Sequence, residues 1–186
     1  MKLLLQSGEI KLRSLRRTDK KQWEQLRLKN EKWLRPWEAT SPDPLISLPR
    51  FQQMLAFQRR EEKALRSITW AVVYQGRICG QITLAGISFG SYKGGHIGYW
   101  ITSELAGRGF IPMAVNLVSE YAFKELGLHR LEISMRPENA ASKQVALKCG
   151  FEFESLRKRF LHIDGDWRDH HTYVKVHEST RSGHTP

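Results

Sequence analysis

Apolar and polar residues alternate from Glu9 to Arg16, with Ile10, Leu12 and then Leu15 on the apolar side, which predicts a half-buried strand. Thr18-Asp19 caps a predicted helix whose apolar positions run through Leu26 and Leu28. Four prolines between Pro36 and Pro49 predict an irregular loop. A second amphipathic helix, Leu48 to Leu65, carries Phe51, Leu55 and Phe57. Strands follow at Ile68–Tyr74 and Arg77–Ile87, joined by a hairpin turn at Gln75-Gly76, and a third at His96–Thr102. The strongest helical pattern runs from Gly109 to Leu126, with Ile111, Ala114, Val115, Val118, Ala122 and Leu126 on one face and Gly127 ending it. A strand (Arg130–Arg136), a helix (Asn139–Lys148) and a hairpin (Glu152–Ile163 and Trp167–Val176, turned at Asp164-Gly165) complete the pattern. This order predicts a mixed α/β sheet with a parallel crossover through the central helix. We expect residues 1–8 to be a lead-in, 9–176 one domain, and the polar residues 177–186 a disordered tail.

A chain of 186 residues is long enough to bury a real core, and 40% hydrophobic with 26% charged is ordinary for a folded domain. The formal net charge of +11 is not ordinary, and it suggests a polyanionic partner: nucleic acid, a ribonucleoprotein or a phosphorylated cofactor. The positive residues are dispersed along the chain, which favours a charged face over a basic arm. No segment approaches the ~18 apolar residues of a membrane span. Leu3-Leu4-Leu5 is broken at once by Gln6, Ser7, Gly8 and Glu9, too short for a secretion signal, so the expected location is the cytosol. Cys79 and Cys149 are then expected to be reduced core thiols.

Two stretches carry candidate chemistry. In Gly98-Tyr99-Trp100-Ile101-Thr102-Ser103-Glu104-Leu105-Ala106-Gly107-Arg108-Gly109-Phe110 a predicted strand passes through a glycine loop into the long helix. Free N–H groups and the positive end of the helix dipole there form an anion site suited to a pyrophosphate. Pro112 falls in the first turn, where a missing N–H costs little. The same Gly-x-Gly is also what a plain tight turn requires. In the second stretch, Arg136-Pro137-Glu138-Asn139-Ala140-Ala141-Ser142, Asn139 and Ser142 share the first turn of a helix, and Leu147-Lys148-Cys149-Gly150-Phe151 follows. Asn139 is sufficiently explained as an N-cap; the functional alternative has it hold a cofactor while Ser142 hydrogen-bonds a leaving thiolate.

Taken together, the glycine loop, Asn-x-x-Ser and Gly150-Phe151 resemble the GNAT acetyltransferases. Glu104 stands where that family's loop usually has Gln or Arg. Asn30-Glu31-Lys32-Trp33-Leu34-Arg35-Pro36-Trp37-Glu38 and Phe160-Leu161-His162-Ile163-Asp164-Gly165-Asp166-Trp167-Arg168-Asp169-His170 further resemble the RimJ/RimL type, the ribosomal-protein-alanine N-acetyltransferases. The likeness spans roughly 9–176. It implies a single-domain mixed, mostly antiparallel sheet of about six to seven strands, flanked by helices, with a parallel splayed pair at the cofactor site. It implies acetyl-CoA as co-substrate, held by Tyr99, Trp100, Ile101, Thr102, Leu105, Ala106, Gly107, Arg108, Gly109, Phe110, Asn139 and Ser142, and no metal. It implies direct attack of an amine on the thioester in a ternary complex, the acceptor being a protein N-terminus beginning Ala or Ser. Contact with a ribosome or pre-ribosomal particle through the basic surface, no membrane, and a monomer or dimer complete the expectation.

Ser142 is the expected thiol partner and Glu38 the first candidate base, although Glu38 reads slightly better as a surface carboxylate after a proline turn. Trp37 is the aromatic taken as an acceptor-channel wall, beside Trp33 and Trp100. Some relatives carry a glutamate in the final hairpin where this chain has Phe160-Leu161, so no base is assigned there. His162, His170 and His171 lack a convincing metal-ligand set, and Arg157-Lys158-Arg159 reads by default as a solvated strand edge. An α-amine with a pKa near 8 is about one-fifth neutral at cytosolic pH, whereas a lysine at ~10.4 is neutral about one time in a thousand. Two other functions fit the motifs: a polyamine or aminoglycoside acetyltransferase, which would need an acidic pocket, and a non-catalytic ribosome- or RNA-associated assembly factor.

Overall fold

Trp70-Ala71-Val72-Val73 is an unbroken apolar run, which a strand shows when both of its faces are covered. The computed structural model describes residues 4–43, 45, 46 and 49–177 and places this run inside an eight-stranded sheet. In chain order the elements are β1 (Leu4–Ser7), β2 (Ile10–Arg13), α1 (Lys20–Lys29), α2 (Glu31–Leu34), α3 (Phe51–Lys63), β3 (Ser67–Tyr74) and β4 (Arg77–Ser88). They continue with β5 (Gly94–Ile101), α4 (Phe110–Lys124), β6 (Arg130–Met135), α5 (Ala140–Lys148), β7 (Glu152–Ile163) and β8 (Asp166–Val176). The sheet order is β1-β2-β3-β4-β5-β6-β8-β7, and every neighbouring pair is antiparallel except β5 and β6.

Side chains of β3 alternate between two cores. Ile68, Trp70 and Val72 join Ile82, Leu84, Leu131 and Ile133 beneath α4, against Ala114, Val115, Val118 and Ala122. Ala71 and Val73 face the other way, with Trp23 of α1 and Phe51 and Leu55 of α3. Each of these fully buried aliphatic side chains stabilises the fold by roughly 1.5–3 kcal/mol.

Four expectations are corrected. Leu4–Ser7 is not a bare lead-in but an edge strand, paired with β2 from Leu4↔Arg13 to Ser7↔Ile10, which raises the strand count to eight. Phe57 is 53% exposed, because six residues past Phe51 it has rotated to the far side of α3. The predicted start of that helix at Leu48 lies outside the described residues, as do 178–186. His177 is held in place: its N–H donates to the His129 carbonyl at 2.8 Å and its ring packs on Phe123. Asp19 starts α1, but its carboxylate turns back to accept two bonds from Arg13 (2.6 and 3.0 Å) and one from the Arg16 N–H (2.7 Å).

One topological feature positions the site. β5 and β6 pair only at Gly94↔Arg130, Gly95↔Leu131 and His96↔Glu132, then diverge. A buried carboxylate locks the root of this splay. Glu132 accepts from the Tyr92 hydroxyl (3.0 Å), Arg130 Nε (3.0 Å) and Arg157 Nη2 (2.6 Å), so Arg157 is an inward tie rather than a solvated charge. Burial alone would raise the Glu132 pKa, but these donors outweigh it and hold the carboxyl below its ordinary range.

Candidate active site

Past His96 the inner edge of β5 faces no strand. The Thr102 N–H donates to the Cys79 carbonyl of β4 at 2.8 Å. By strand alternation Trp100 also bonds toward β4, which leaves the backbone N–H groups of Tyr99 and Ile101 facing the splay. The open edge therefore offers two of the strand's expected backbone contacts, not all of them. The Trp100 side chain does not line the cleft between the splayed strands but packs on the second core, edge-on to Trp23 at 5.3 Å and beneath the Arg27 guanidinium at 5.2 Å.

After Thr102 the chain makes a short 3-10 turn (Ser103–Leu105) and enters α4 through Ala106-Gly107-Arg108-Gly109. Gly107 and Gly109 have φ of 79° and 82°, a region L side chains enter only with strain, and no protein atom lies within 4 Å of where a Cβ would stand. Gly109 is the N-cap of α4 and has no side chain to satisfy the first N–H groups. Bare donors, open space and the dipole of a 15-residue helix fit a pyrophosphate. Arg108 stands exposed at this mouth, its guanidinium over the rings of Tyr74 (5.7 Å) and Phe110 (5.6 Å). Phe110 and Leu105 contribute backbone only, since their side chains belong to the core. Glu104 is exposed and paired with Lys29 at 2.5 Å, which offsets its charge near the anion site.

Between the splayed strands lies a cleft of about 180 Å³, lined among others by Trp37, Tyr99, Ser134, Arg136, Asn139, Ser142 and His170. A larger cavity of about 670 Å³ lies elsewhere, around Arg13, Arg59 and Tyr121, and none of the motif residues lines it. Asn139 is the N-cap of α5, its Oδ1 accepting from the Ser142 N–H at 3.0 Å. The capping explanation is thus correct, and it also fixes where Ser142 stands. The Ser142 hydroxyl lies 2.9 Å from the Tyr99 hydroxyl, which also reaches the Ser142 carbonyl at 3.3 Å. Burial pushes the Tyr99 phenol well above its ordinary pKa, so it keeps its proton at neutral pH. This hydroxyl pair escapes a sequence reading, because Tyr99 and Ser142 are 43 residues apart.

The segment from Asn30 to Thr40 roofs the cleft and is pinned at both sides. Asn30, buried, accepts from the Ser103 N–H at 2.9 Å, and the Trp33 indole donates to the Ile101 carbonyl at 3.0 Å. At the other side Arg136 donates to the Pro36 carbonyl (2.9 Å) beneath the Trp37 ring, and Arg35 pairs with Asp164 (2.7 Å). Ala39 bridges to Ile163. Trp37 consequently lines the cleft, but Glu38 does not. The backbone is extended at Glu38, so its side chain turns away from Trp37 and forms a two-point ion pair with Arg27, one arm at 2.6 Å.

His170 is the residue sequence reasoning set aside. It is buried, lines the cleft from β8, and its Nδ1 lies 2.9 Å from the Arg168 carbonyl. Burial lowers its pKa below the ordinary imidazole value. Among the described residues no group of three or more His, Cys, Asp or Glu is arranged to hold a metal. Cys79 and Cys149 are buried free thiols, and among the described residues no helix is long and apolar enough to cross a membrane.

Comparison with known proteins matches the model of the acetyltransferase (GNAT) domain over residues 9–152. A Bacillus subtilis relative, "Probable N-acetyltransferase YjcK", is 38% identical over 94 residues, about half of each chain (50% and 52%). The Escherichia coli "[Ribosomal protein uS5]-alanine N-acetyltransferase" is 26% identical over 76% of this chain and 74% of its own. The solved structure of Mycobacterium smegmatis RimJ in complex with CoA-disulfide superposes with a TM-score of 0.85 at 28% identity, covering 94% of this chain and 85% of that one.

Proposed function

The chain belongs to the GNAT acetyltransferase family, and within that family we propose that it acetylates the α-amino group of a protein N-terminus beginning with Ala or Ser. As an N-acetyltransferase of this family it uses acetyl-CoA, which supplies an acetyl group already activated as a thioester. The observation that carries the acceptor assignment is that, among the described residues, no Asp or Glu lines the cleft. A polyamine or a lysine ammonium would enter with no carboxylate to attract it or to take its proton. An α-amine arrives substantially neutral and needs neither.

The roles follow from position. The Gly107–Gly109 loop and the first N–H groups of α4 hold the pyrophosphate. The Tyr99 and Ile101 N–H groups orient the pantetheine and the thioester carbonyl along the open edge of β5. Ser142, with Tyr99 behind it, gives a proton to the departing sulfur. Trp37 walls the acceptor channel. The strongly positive surface favours an acceptor presented on RNA over a free basic protein, and a cytosolic location fits that partner.

Turnover of a panel of amines tests the assignment. Peptides beginning Ala or Ser are expected to be acetylated with a higher kcat/KM than Met-initiated peptides, spermidine or aminoglycosides. Turnover confined to the small amines would remove the proposed acceptor.

The Arg27 ion pair supports a positioning role for Glu38 instead of the base role. Arg27→Met and Glu38→Gln are each expected to raise the acceptor KM about fivefold, as loss of a pair worth about 1 kcal/mol would, with the pH profile unmoved. A loss of kcat in Glu38→Gln with a displaced pH profile would restore Glu38 as the base.

A further inference from the structure

We propose, resting on the N-acetyltransferase reading above, that His170 is the catalytic base that takes the proton of the attacking amine. The assignment stands on three features. His170 lines the same cleft as Ser142 and Tyr99, so it borders the space in which the amine and the thioester meet. A carbonyl oxygen only accepts hydrogen bonds, so the contact to Arg168 O fixes the proton on Nδ1 and leaves the lone pair on Nε2. Nε2 has no protein partner among the described residues, while Phe160, edge-on to the ring at 5.7 Å, holds the imidazole in place.

The charges around the ring favour the neutral form. Burial acts first and sets the direction; the hydrogen bond to the Arg168 carbonyl opposes it, Arg136 just past β6 adds to it, and Asp169 and Glu138 oppose more weakly. The Asp169 carboxylate is turned to the Arg159 N–H at 2.7 Å, and Glu138 lies 3.3 Å from Arg136. From β7, Arg157 stands opposite His170 in the register, but its guanidinium is engaged by Glu132. On β8, Arg168 meets the ring through its carbonyl, with its guanidinium paired to Asp166. A neutral imidazole poised in this way is a competent proton acceptor near neutral pH.

The protons balance. As the amine nitrogen bonds the acetyl carbon and the carbon–sulfur bond breaks, one N–H proton passes to His170 Nε2. The sulfur receives its proton from the Ser142–Tyr99 hydroxyl pair. The imidazolium then releases its proton to solvent and the hydroxyl pair is refilled from it, so that amine plus thioester gives amide plus thiol. With Phe160-Leu161 on β7 offering no carboxylate, the opposite strand of the same hairpin supplies the base.

The test compares wild type with His170→Gln on an Ala-initiated peptide from pH 5 to 9, together with nitrogen NMR of the His170 ring in the unliganded protein and calorimetry with CoA. The expected result is a kcat lower by about 10²-fold, with CoA affinity unchanged. Below the His170 pKa, log kcat/KM of wild type climbs with a slope of two, one proton from the ring and one from the amine; His170→Gln shows a slope of one that levels off only above the amine pKa near 8. The ring is expected as the Nδ1–H tautomer at pH 7. An unchanged kcat and an unchanged acid limb in His170→Gln would overturn the proposal and leave the acetyltransferase reading intact. An Nε2–H tautomer or an imidazolium at pH 7 would overturn it whatever the acceptor proves to be. A wild type that binds CoA but acetylates no amine would overturn the underlying reading, and the base role with it.

Discussion

Ser142→Ala is expected to lower kcat by about 10²–10³-fold, the range of a lost general acid, while CoA affinity stays within about threefold. The hydroxyl is placed by two independent constraints. Asn139 fixes the first turn of α5 through its bond to the Ser142 N–H, and the Tyr99 phenol meets the Ser142 oxygen at 2.9 Å. The phenol is buried and keeps its proton at neutral pH, so the pair holds a proton to give to the thiolate, and the oxyanion this leaves is reprotonated from solvent. Removing Ser142 leaves the leaving sulfur without a partner at the moment charge develops, which affects the transition state and not ground-state binding. Single-turnover rates and CoA calorimetry on the same variant separate the two. Tyr99→Phe should show a smaller loss, since Ser142 remains. A Ser142→Ala enzyme with wild-type kcat would assign the hydroxyl to helix capping alone.

Gly109→Val is expected to weaken CoA binding by about 10–100-fold with the fold retained, measurable by calorimetry alongside thermal unfolding. A β-branched residue at φ 82° carries strain of order 1–3 kcal/mol, and each 1.4 kcal/mol is a factor of ten in affinity. The Cβ would meet no protein atom, so the native packing has nothing to clash with. The cost falls on the conformation that aims the first N–H groups of α4 and on the space into which they point. A variant with unaltered CoA affinity would show that the loop is only a tight turn.

Much of the architecture is legible in the sequence because periodicity reports burial directly. The α4 stripe from Ile111 to Ala122 is buried where expected, and Gln75-Gly76 and Asp164-Gly165 turn their hairpins as their composition predicts. Leu4–Ser7 escapes because its pairing with β2 leaves every second residue exposed, and a four-residue edge strand gives too short a pattern to read. Phe57 misleads because an isolated aromatic is counted as apolar regardless of helical angle. The family's comparisons support the fold and the acetyl donor that the glycine loop and Asn-x-x-Ser implied.

The chemistry of the cleft is less legible, since it depends on register and on contacts between distant segments. Tyr99 reads in sequence as a strand residue near a cofactor; only the crossover through α4 and β6 brings its hydroxyl to Ser142. His170 reads as one histidine of a pair, and only the strand parity of β8 sends it, and not His171, into the cleft. Glu38 lies beside Trp37 in sequence, yet extended backbone turns the two side chains in opposite directions, one to the cleft and one to Arg27.

The most direct test of the account is to acetylate a peptide that begins with Ala and carries an internal lysine, and to locate the acetyl group by tandem mass spectrometry. A cleft without a lining carboxylate should select the amine that is already neutral, which predicts α-acetylation over ε-acetylation by at least about 100-fold at pH 7.4. Acetylation of the lysine at an equal or greater rate would contradict the account, because the cleft would then be drawing in and neutralising an ammonium with no lining carboxylate, while His170 serves only the proton shed on attack.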